Sequence, residues 1–478
     1  MLFHLNGPLY YDEVCSWAFA RRTPFVNMWM AALSDPTPPL YYALLHFVVN
    51  YWGDSPIIMR LPSVFFGTLM PPVMYWIMRS GSFSKKDSLC AMLLGAVSSM
   101  LVYYSQEIRA YIQLAFFGLL SVGLLLRCLR HPILINNLLY GITLFIVSYT
   151  HRYGLILVGA QLIPLILYKR WNTLLVYGAT AFLILMLIVL QILQGNFYLS
   201  DAIDRVTSSG AVIALINMLN VGTIELRSLT GYQPGPLVSY PHAYVNYALS
   251  MTGLVVFLMI FLAGISKRKE YTPVQKQFIS VLALCIIVSS AVALVAGSPL
   301  VPRPQWLLRG LLYIWPLYYM LAVASCSNVR LKTCLMTLIV LINGFSLYPY
   351  YTLYTRCAAA PALERLNNIT TANDLIVANP WYYYGAIDYY YRGAAQKAGY
   401  EKALGWIDIE KLRASNKPFV PQQLPRGNPP HADGDVYFFG CINDPGCVKP
   451  FTHNRILLYN EATLWELFDT KTLHGVSK

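Results

Sequence analysis

The chain has 478 residues, of which 56% are hydrophobic and only 12% are charged, and its mean hydropathy is +0.48. This apolar surplus falls in long runs and exceeds what one soluble core can bury, which excludes an ordinary soluble domain and indicates a polytopic membrane protein. The net charge of +13 would suit nucleic acid, but the basic residues collect in loops between the apolar runs, so we expect no nucleic-acid partner.

Residues 1–57 precede the first apolar run long enough to span a membrane, and they contain the adjacent acids Asp12 and Glu13. Acidic side chains beside a bilayer are costly and are often functional. The alternative is a solvated turn that caps a helix over residues 14–20. The apolar stretch 38–52 reaches only ~22 Å as a helix, which is short of the hydrocarbon core. We therefore predict an external helix in the membrane interface, held by aromatic anchors.

Ten later runs have the length and flanks of transmembrane helices. They cover residues 58–78, 87–104, 109–127, 133–150, 153–169, 172–194, 243–265, 276–297, 306–325 and 331–350. Alternate connections carry the basic residues Arg79, Lys85, Lys86, Arg127, Arg130, Lys169, Arg170, Lys267, Arg268, Lys269, Lys276, Arg330 and Lys332. Positive charge marks the cytoplasmic side. The other connections are then external, together with residues 1–57 and everything after about residue 351.

The external regions differ in character. Loop 195–242 contains scattered charges among apolar residues, which fits a lid over a substrate or an amphipathic surface segment. The tail has strand-like runs at 374–378, 435–440 and 455–459 and a helical stretch at 382–399, separated by Pro, Gly and Asn. We predict three parts: an external loop with its interfacial helix (1–57), the transmembrane bundle (58–350) and a small external α/β domain (351–478).

The nine cysteines include one closely spaced external pair, Cys441 and Cys447. The other seven are scattered, most of them within apolar runs and without the spacing of a zinc site. On an oxidising side of the membrane the pair can close a small loop, and free thiols fit the sequence equally well.

Four motifs occur in order along the first third of the chain. They are Tyr11-Asp12-Glu13, then Asp35-Pro36-Thr37-Pro38-Pro39-Leu40-Tyr41-Tyr42 with His46, then Arg60-Leu61-Pro62-Ser63-Val64-Phe65-Phe66-Gly67, and finally Tyr104-Ser105-Gln106-Glu107-Ile108-Arg109-Ala110-Tyr111. Together they resemble the GT-C superfamily of polyprenyl-phosphate-sugar-dependent glycosyltransferases. The nearest groups are the protein O-mannosyltransferases of glycosyltransferase family 39 and the lipid A aminoarabinose transferases.

The resemblance implies a multi-pass enzyme of the bacterial cytoplasmic membrane. It implies inverting-type transfer of a sugar from a polyprenyl-phosphate carrier to a glycan, lipid or protein hydroxyl at the external face. Family members usually have a span before the Asp-Glu loop, so we expect the natural reading frame to begin upstream of Met1. Asp35 stands where many relatives have histidine. A transporter or flippase of lipid-linked sugars is the alternative, but such proteins more often have charges at span centres and broken helices.

The resemblance also assigns roles to residues. Asp12 is the expected general base for the acceptor hydroxyl, and Glu13 is expected to orient a neighbouring group or bind the acceptor. Arg303 and Arg309, at the outer start of a late span, are expected to bind the carrier phosphate, because a guanidinium offers a planar fork of donors. Contact with ordinary lipid headgroups is the alternative for both arginines.

A second group of candidates is expected to line the same polar cleft: Glu107, Arg60, Tyr111, His151 and Arg152. Glu107 is expected at an external hairpin tip, where it can bind substrate or metal, or pair with Arg109. Arg60 has the alternative role of anchoring the end of its helix. No cofactor is certain from the sequence, although a divalent cation between Asp12 and Glu107 fits oxygen ligands.

Overall fold

The computed structural model describes residues 5–33, 35, 37–193, 270–296, 308–326, 328–352, 360–378, 384–401, 405–407, 436–440, 455–461 and 465–470. The chain divides into two compact units. The bundle unit comprises Met1–Leu5, Pro36–Tyr41 and Arg60–Tyr354. The sheet unit comprises Asn6–Asp35, Tyr42–Met59 and Thr355–Lys478, so it joins an early segment to the C-terminal part of the chain.

Long apolar helices make up the bundle unit. They are α4 (Pro56–Ser80), α5 (Lys85–Val97), α6 (Ser99–Tyr104), α7 (Tyr111–Arg130), α8 (Leu134–Thr150), α9 (Gly154–Leu167), α10 (Trp171–Leu193), α11 (Pro273–Ala296), α12 (Ile314–Ser325) and α13 (Val329–Thr352). Within the described residues, α4, α7, α10 and α11 contain stretches long and apolar enough to cross a membrane. The polytopic helical fold is therefore confirmed, whereas the number of spans stays a prediction. The predicted span 243–265 and loop 195–242 lie outside the described residues.

Two predicted helices are interrupted. The run 87–104 breaks at Ser98, whose backbone is extended (φ −60°, ψ 117°), and α6 starts afresh at Ser99. Ser98 caps α6, since its Oγ accepts the Leu101 N–H at 3.5 Å. The run 306–325 begins as a 3-10 turn at Leu308–Leu311, and α12 follows at Ile314. Hydrophobicity alone predicted both runs as continuous, because neither break changes the apolar pattern.

Helix α7 is buried along most of its length and forms the centre of the bundle. Gly118 allows its neighbours to approach closely. A Cβ at this position would lie 2.9 Å from Leu157 Cδ2 and 3.1 Å from Tyr313 Cβ. Small residues at such contacts strengthen helix association in membranes, where packing rather than water exclusion provides the attraction.

The sheet unit contains α1 (Tyr11–Ala20), α2 (Phe25–Ala32) and most of α3 (Pro39–Trp52), followed by α14 (Ala360–Ile369) and α15 (Tyr384–Tyr390). Helix α1 packs on α15 although more than 360 residues separate them. Arg21 pairs with Asp388 at 2.9 Å. The Trp17 and Tyr389 rings meet edge to face with centroids 4.9 Å apart. The Trp17 indole also donates to Asp54 Oδ2 at 3.1 Å.

Six strands form a mixed sheet in the order β3-β2-β1-β4-β6-β5. They are β1 (Leu375–Ala378), β2 (Gln396–Glu401), β3 (Gly405–Ile407), β4 (Val436–Gly440), β5 (Arg455–Glu461) and β6 (Trp465–Thr470). Strand β1 is fully buried and pairs in parallel with β2 and β4, while the remaining pairs are antiparallel. Buried strands of this kind read as continuous apolar runs, as Leu375-Ile376-Val377-Ala378 does.

The predicted helix over 382–399 is wrong in its second half. Helix α15 ends at Tyr390, and residues 396–399 belong to β2. Asn367 causes the turn, since its Oδ1 accepts the N–H groups of Arg392 and Gly393 at 2.7 and 3.1 Å. These bonds satisfy backbone donors that a continuing helix would have used.

Helix α3 forms at the predicted interfacial segment and presents an aromatic surface. Phe47 is 50% exposed, Tyr51 78% and Trp52 69%. Phe25 of α2 stacks on Phe47 at 5.7 Å. On the opposite side, His46 is buried and its Nδ1 lies 2.8 Å from the Ala20 carbonyl oxygen. Exposed aromatic groups of this type favour the bilayer interface. The membrane location of α3 stays a prediction.

The contact between α1 and α15 predicts a stability difference between two tryptophans. Trp17→Ala removes a side chain that is only 3% exposed, so the sheet unit should lose about 3–5 kcal/mol. Trp52→Ala is the matched control, because that ring is 69% exposed. Circular-dichroism melts in detergent and limited proteolysis should show early unfolding for the Trp17 variant alone. Equal melting of the two variants would contradict this packing.

Candidate functional site

The predicted site residues fall in both units. Asp12 and Glu13 belong to the sheet unit, whereas Arg60, Glu107, Tyr111, His151 and Arg152 belong to the bundle unit. Arg303 and the Arg309 side chain lie outside the described residues. The membership of these residues in one cleft therefore stays a prediction.

The acid pair occupies the first turn of α1, and burial distinguishes its two members. Glu13 is fully buried, and its Oε2 accepts the Tyr10 N–H at 3.3 Å. This bond satisfies one of the donors that a helix start leaves open. Asp12 is partly exposed. The helix therefore begins at Tyr11, ahead of the predicted residues 14–20, and Glu13 caps it from a buried position.

The charges along α1 follow its dipole. Acidic groups at the N-terminal turn and basic groups beyond the C-terminus are both favoured by the aligned peptide units. Arg21 and Arg22 follow directly after Ala20. Burial, and secondly the neighbouring Arg21 charge, lower the pKa of the Arg22 guanidinium. Arginine nevertheless stays protonated in proteins.

Residues of the second motif fix the far end of α1. The Tyr42 hydroxyl donates to Asp35 Oδ1 at 2.9 Å, and the Tyr42 ring packs on Phe19 at 4.8 Å. His46 contacts the Ala20 carbonyl, as described above. Asp35, Tyr42 and His46 thus support the helix that carries the acid pair. The sequence motif did not predict that these three residues support α1.

In the bundle unit, the connection between α6 and α7 is buried. Ser105, Gln106 and Glu107 are each at most 1% exposed. The Ser63 hydroxyl donates to the Glu107 carbonyl at 2.5 Å. The Tyr350 hydroxyl donates to Gln106 Oε1 at 2.5 Å. Glu107 therefore lies within packed protein, and the predicted hairpin tip is wrong in that respect. The apolar residues on both sides of this segment in the sequence did not indicate that Glu107 is buried.

Arg60 is fully buried and donates from Nη1 to the Leu5 carbonyl at 2.7 Å. This bond ties α4 to the start of the chain. This bond and the full burial of the side chain support the anchoring role of Arg60, and a role in the polar cleft stays a prediction. Arg60 and Ser63 belong to the same motif, so this motif holds both the N-terminal segment and the Glu107 backbone.

Tyr111, His151 and Tyr153 form an aromatic row at the same end of the bundle as Glu107. The Tyr111 and His151 rings lie 5.4 Å apart, and His151 and Tyr153 lie 5.5 Å apart. The Tyr153 N–H donates to His151 Nδ1 at 3.2 Å, so that nitrogen acts as an acceptor. Arg109 lies over the Tyr111 ring, with Cζ 5.6 Å from the centroid. All three rings are buried, so they form a polar, aromatic cluster inside the bundle unit, and their contact with a ligand stays a prediction.

The backbone before α12 also approaches this row. A Cβ at Gly310 would lie 2.6 Å from Tyr153 Cγ, so only glycine allows the 3-10 turn to pass so close. The turn contains Arg309. The main chain of Gly310, which follows Arg309, thus lies next to Tyr153, and the predicted grouping of Arg309 with His151 and Arg152 stays a prediction.

Helix α13 holds both ends of α6, which the sequence did not suggest. Asn343 is fully buried. Its Oδ1 accepts from the Ser99 N–H at 2.8 Å and from the Ser99 hydroxyl at 3.1 Å. Its Nδ2 lies 3.3 Å from the Tyr319 hydroxyl. Tyr350, seven residues later on the same helix face, binds Gln106 beyond the other end of α6. An asparagine inside an apolar run was the available signal.

The described residues contain no group of three or more His, Cys, Asp or Glu side chains that could hold a metal ion. Asp12 and Glu107 belong to different units. The divalent cation therefore stays a prediction.

The chain shares its fold with the solved protein ArnT, which agrees with the fold expected from the four motifs. The structure of apo ArnT from Cupriavidus metallidurans matches with a TM-score of 0.59 at 10% identity, over 98% of this chain and 95% of ArnT. ArnT bound to undecaprenyl phosphate matches with a TM-score of 0.56 at 11% identity, over 97% of this chain and 94% of that protein.

A third match is to the oligosaccharyltransferase AglB from Archaeoglobus fulgidus, in complex with an inhibitory peptide and a dolichol-phosphate. Its TM-score is 0.46 at 12% identity, over 82% of this chain and 60% of AglB. No family model matches the sequence, and no curated protein matches it either. At these identities the likeness establishes the fold, and the resemblance first seen in four motifs is confirmed at that level.

The contacts of Asn343 lead to a stability prediction. Asn343→Ala leaves buried donors and acceptors at Ser99 and Tyr319 without this partner, at a cost on the order of 1–3 kcal/mol for each orphaned group. The control is Thr333→Ala on the same helix, whose exposed hydroxyl bonds only to the Val329 carbonyl in the preceding turn. Thermal melts in detergent should show a clear loss for the first variant and almost none for the second. Coincident melts would mean that Asn343 does not hold α6.

Proposed function

We propose that this protein transfers a sugar from a polyprenyl-phosphate carrier to an acceptor hydroxyl at the external face of the bacterial cytoplasmic membrane. The observation that carries this proposal is the shared fold, which extends over 98% of the chain and includes both units. ArnT was also solved with undecaprenyl phosphate. The acceptor is a glycan, a lipid or a protein, and the transfer is of the inverting type.

Asp12 is proposed as the general base. The acceptor oxygen attacks the anomeric carbon, the bond from that carbon to the carrier phosphate oxygen breaks, and the acceptor proton passes to the Asp12 carboxylate. The carrier leaves as its phosphate. Partial exposure of Asp12 suits this role, because a base has to meet a substrate. Glu13 is buried and caps the helix, so we assign it the support of Asp12 rather than proton transfer.

The candidate residues of the bundle unit are proposed to bind the sugar donor. His151, Arg152 and Tyr111 are expected to contact the sugar or the phosphate, with Arg303 and Arg309 supplying positive charge to the leaving phosphate. Glu107 is proposed to orient the donor or to hold a divalent cation shared with Asp12. This cation would offset charge that grows on the phosphate.

The proposed location follows from the distribution of basic residues. The basic residues at helix ends on alternate connections are Arg79, Arg127, Lys169 and Lys332. Positive charge favours the cytoplasmic side, so these ends are proposed to face the cytoplasm. Residues 1–57 and 351–478 are then external. Residues of these two segments build the sheet unit together, which is consistent with both lying on one side of the membrane.

A flippase for lipid-linked sugars is the second candidate. The interruption at Ser98 is the observation in its favour, since broken helices are common in transporters. At this break, however, the side chains of Asn343 and Ser98 accept hydrogen bonds from the backbone N–H groups of Ser99 and Leu101. Both side chains are uncharged. The acids instead lie near predicted external segments, which favours chemistry at the surface.

Three variants test the enzyme proposal. Asp12→Asn should lower sugar transfer roughly 10²–10⁴-fold without loss of folding, because the amide cannot accept the proton. Glu13→Gln retains an acceptor oxygen for the Tyr10 N–H and should retain most activity. Asp54→Asn is a further acid-to-amide control within the sheet unit. Transfer is followed by mass spectrometry of envelope lipids, glycans and proteins from a deletion strain restored by each variant.

Three outcomes count against these assignments. Full activity of the Asp12 variant would exclude Asp12 as the base. An equal loss in the Glu13 variant, with an unchanged melting temperature, would move the chemistry to Glu13. Translocation of a labelled lipid-linked sugar across vesicles by wild type, with no modified acceptor, would favour the flippase.

A further inference from the structure

A groove on the surface of the bundle lies between α4, α7 and α8, at the helix ends that carry basic residues. Its volume is about 480 Å³. One face of α7 lines it through Leu120, Leu124 and Arg127, and Pro72 and Trp76 of α4 and Leu139 of α8 close its sides. Leu120, Leu124 and Arg127 are spaced four and three residues apart on α7, and Pro72 and Trp76 are spaced four apart on α4. Residues at such spacings share one face of a helix.

Among the described residues that line this groove, Arg127 is the one that carries a charge. Its side chain is exposed, and within the described residues it forms no hydrogen bond or ion pair with the protein. Its neighbours differ in this respect. Arg79 donates to the Phe83 carbonyl at 2.7 Å, and Arg130 donates to the Ser80 carbonyl. These two arginines hold helix ends together, whereas Arg127 offers its guanidinium to the groove.

The apolar lining and the length of the groove suit an acyl chain. The distance along α7 from Leu120 to Arg127 is ~10 Å, about a third of the ~30 Å hydrocarbon core. With Arg127 at the interface, as positive charge at a helix end predicts, the groove would reach into the apolar layer. The Thr143 hydroxyl donates to the Tyr140 carbonyl at 2.8 Å, so this polar lining group is satisfied within its helix.

Trp76 lines the groove and packs against α7. A Cβ at Gly123 would lie 2.8 Å from Trp76 Cζ3 and from Ile77 Cδ1. The absence of a side chain at Gly123 therefore allows the indole to pack directly on α7. Tryptophan and arginine both favour the headgroup level of a bilayer, and Trp76 and Arg127 line the same groove on neighbouring helices.

We propose that this groove binds one anionic phospholipid of the leaflet that adjoins the basic helix ends. One acyl chain lies along Leu120 and Leu124, and the phosphate accepts hydrogen bonds from Arg127. A lipid with net negative charge is preferred to a zwitterionic one, because the latter brings a cation of its own to Arg127. A single basic residue should give roughly fivefold preference.

The test uses the whole protein in nanodiscs of phosphatidylcholine and phosphatidylglycerol. The phosphatidylglycerol carries a photoactivatable group in one acyl chain, and cross-linked peptides are mapped by mass spectrometry. Cross-links should concentrate in residues 69–76 and 120–127. Native mass spectrometry measures how many molecules of each lipid stay bound after extraction.

Three variants sharpen this experiment. Arg127→Gln should lower phosphatidylglycerol retention about fivefold, to the level of phosphatidylcholine. Lys86→Gln is the matched control, because it removes an exposed cation at the same end of the bundle that does not line the groove. Leu139→Trp fills the groove with a bulky side chain at a position that is 43% exposed, and it should lower cross-linking while Arg127 remains.

The proposal fails if Arg127→Gln retains phosphatidylglycerol as well as wild type, or if Lys86→Gln reduces retention equally. Equal reduction would indicate diffuse attraction to the basic surface. Displacement by an equimolar polyprenyl phosphate would assign the groove to the carrier and would also overturn the proposal. Cross-links confined to other helices would do the same.

Discussion

The bundle depends on satisfying backbone and polar groups where its helices are interrupted. No water is available in the hydrocarbon core, so each open N–H has to find a partner in the protein. Asn343 meets this requirement at the start of α6, and Tyr350 and Ser63 hold the buried connection after it. The position of Glu107 therefore follows from contacts made by α13 and α4, and the connection is an internal part of the bundle rather than a free loop.

A similar division between support and chemistry is found in the sheet unit. Glu13 caps α1, and Tyr42 and His46 hold the other end of this helix. Helix α15, from the C-terminal part of the chain, covers a third side through Tyr389 and Asp388. Contacts from α3, from α15 and from its own Glu13 thus fix this ten-residue helix, and Asp12 is the member of the acid pair that stays partly exposed. This arrangement suits a base that has to keep its position as substrates exchange.

Arginine and aromatic residues have different environments in different parts of this protein. Arg60, Arg79 and Arg130 each donate to a backbone carbonyl and hold chain segments in place. Arg127 lines a groove of mostly apolar side chains, and the aromatic residues of α3 are exposed. Interfacial arginine and tryptophan are favoured in membranes for both purposes, and only their neighbours distinguish an anchor from a binding group.

The sequence by itself determined the class, the positions of most apolar helices and the motifs of the GT-C fold, because hydrophobic runs and ordered motifs are local properties of the chain. It also indicated Asp12 as the base, which stays a prediction. The tertiary structure alone decided the break at Ser98, the burial of Glu107, the end of α15 at Tyr390 and the pairing of α1 with α15. In each case the deciding partner lies far along the chain or on another element: Asn343 for Ser99, Tyr350 for Gln106, Asn367 for Gly393 and Asp388 for Arg21. A local sequence pattern does not indicate such partners, since a long-range hydrogen bond changes neither the hydrophobicity nor the spacing of the residues that form it.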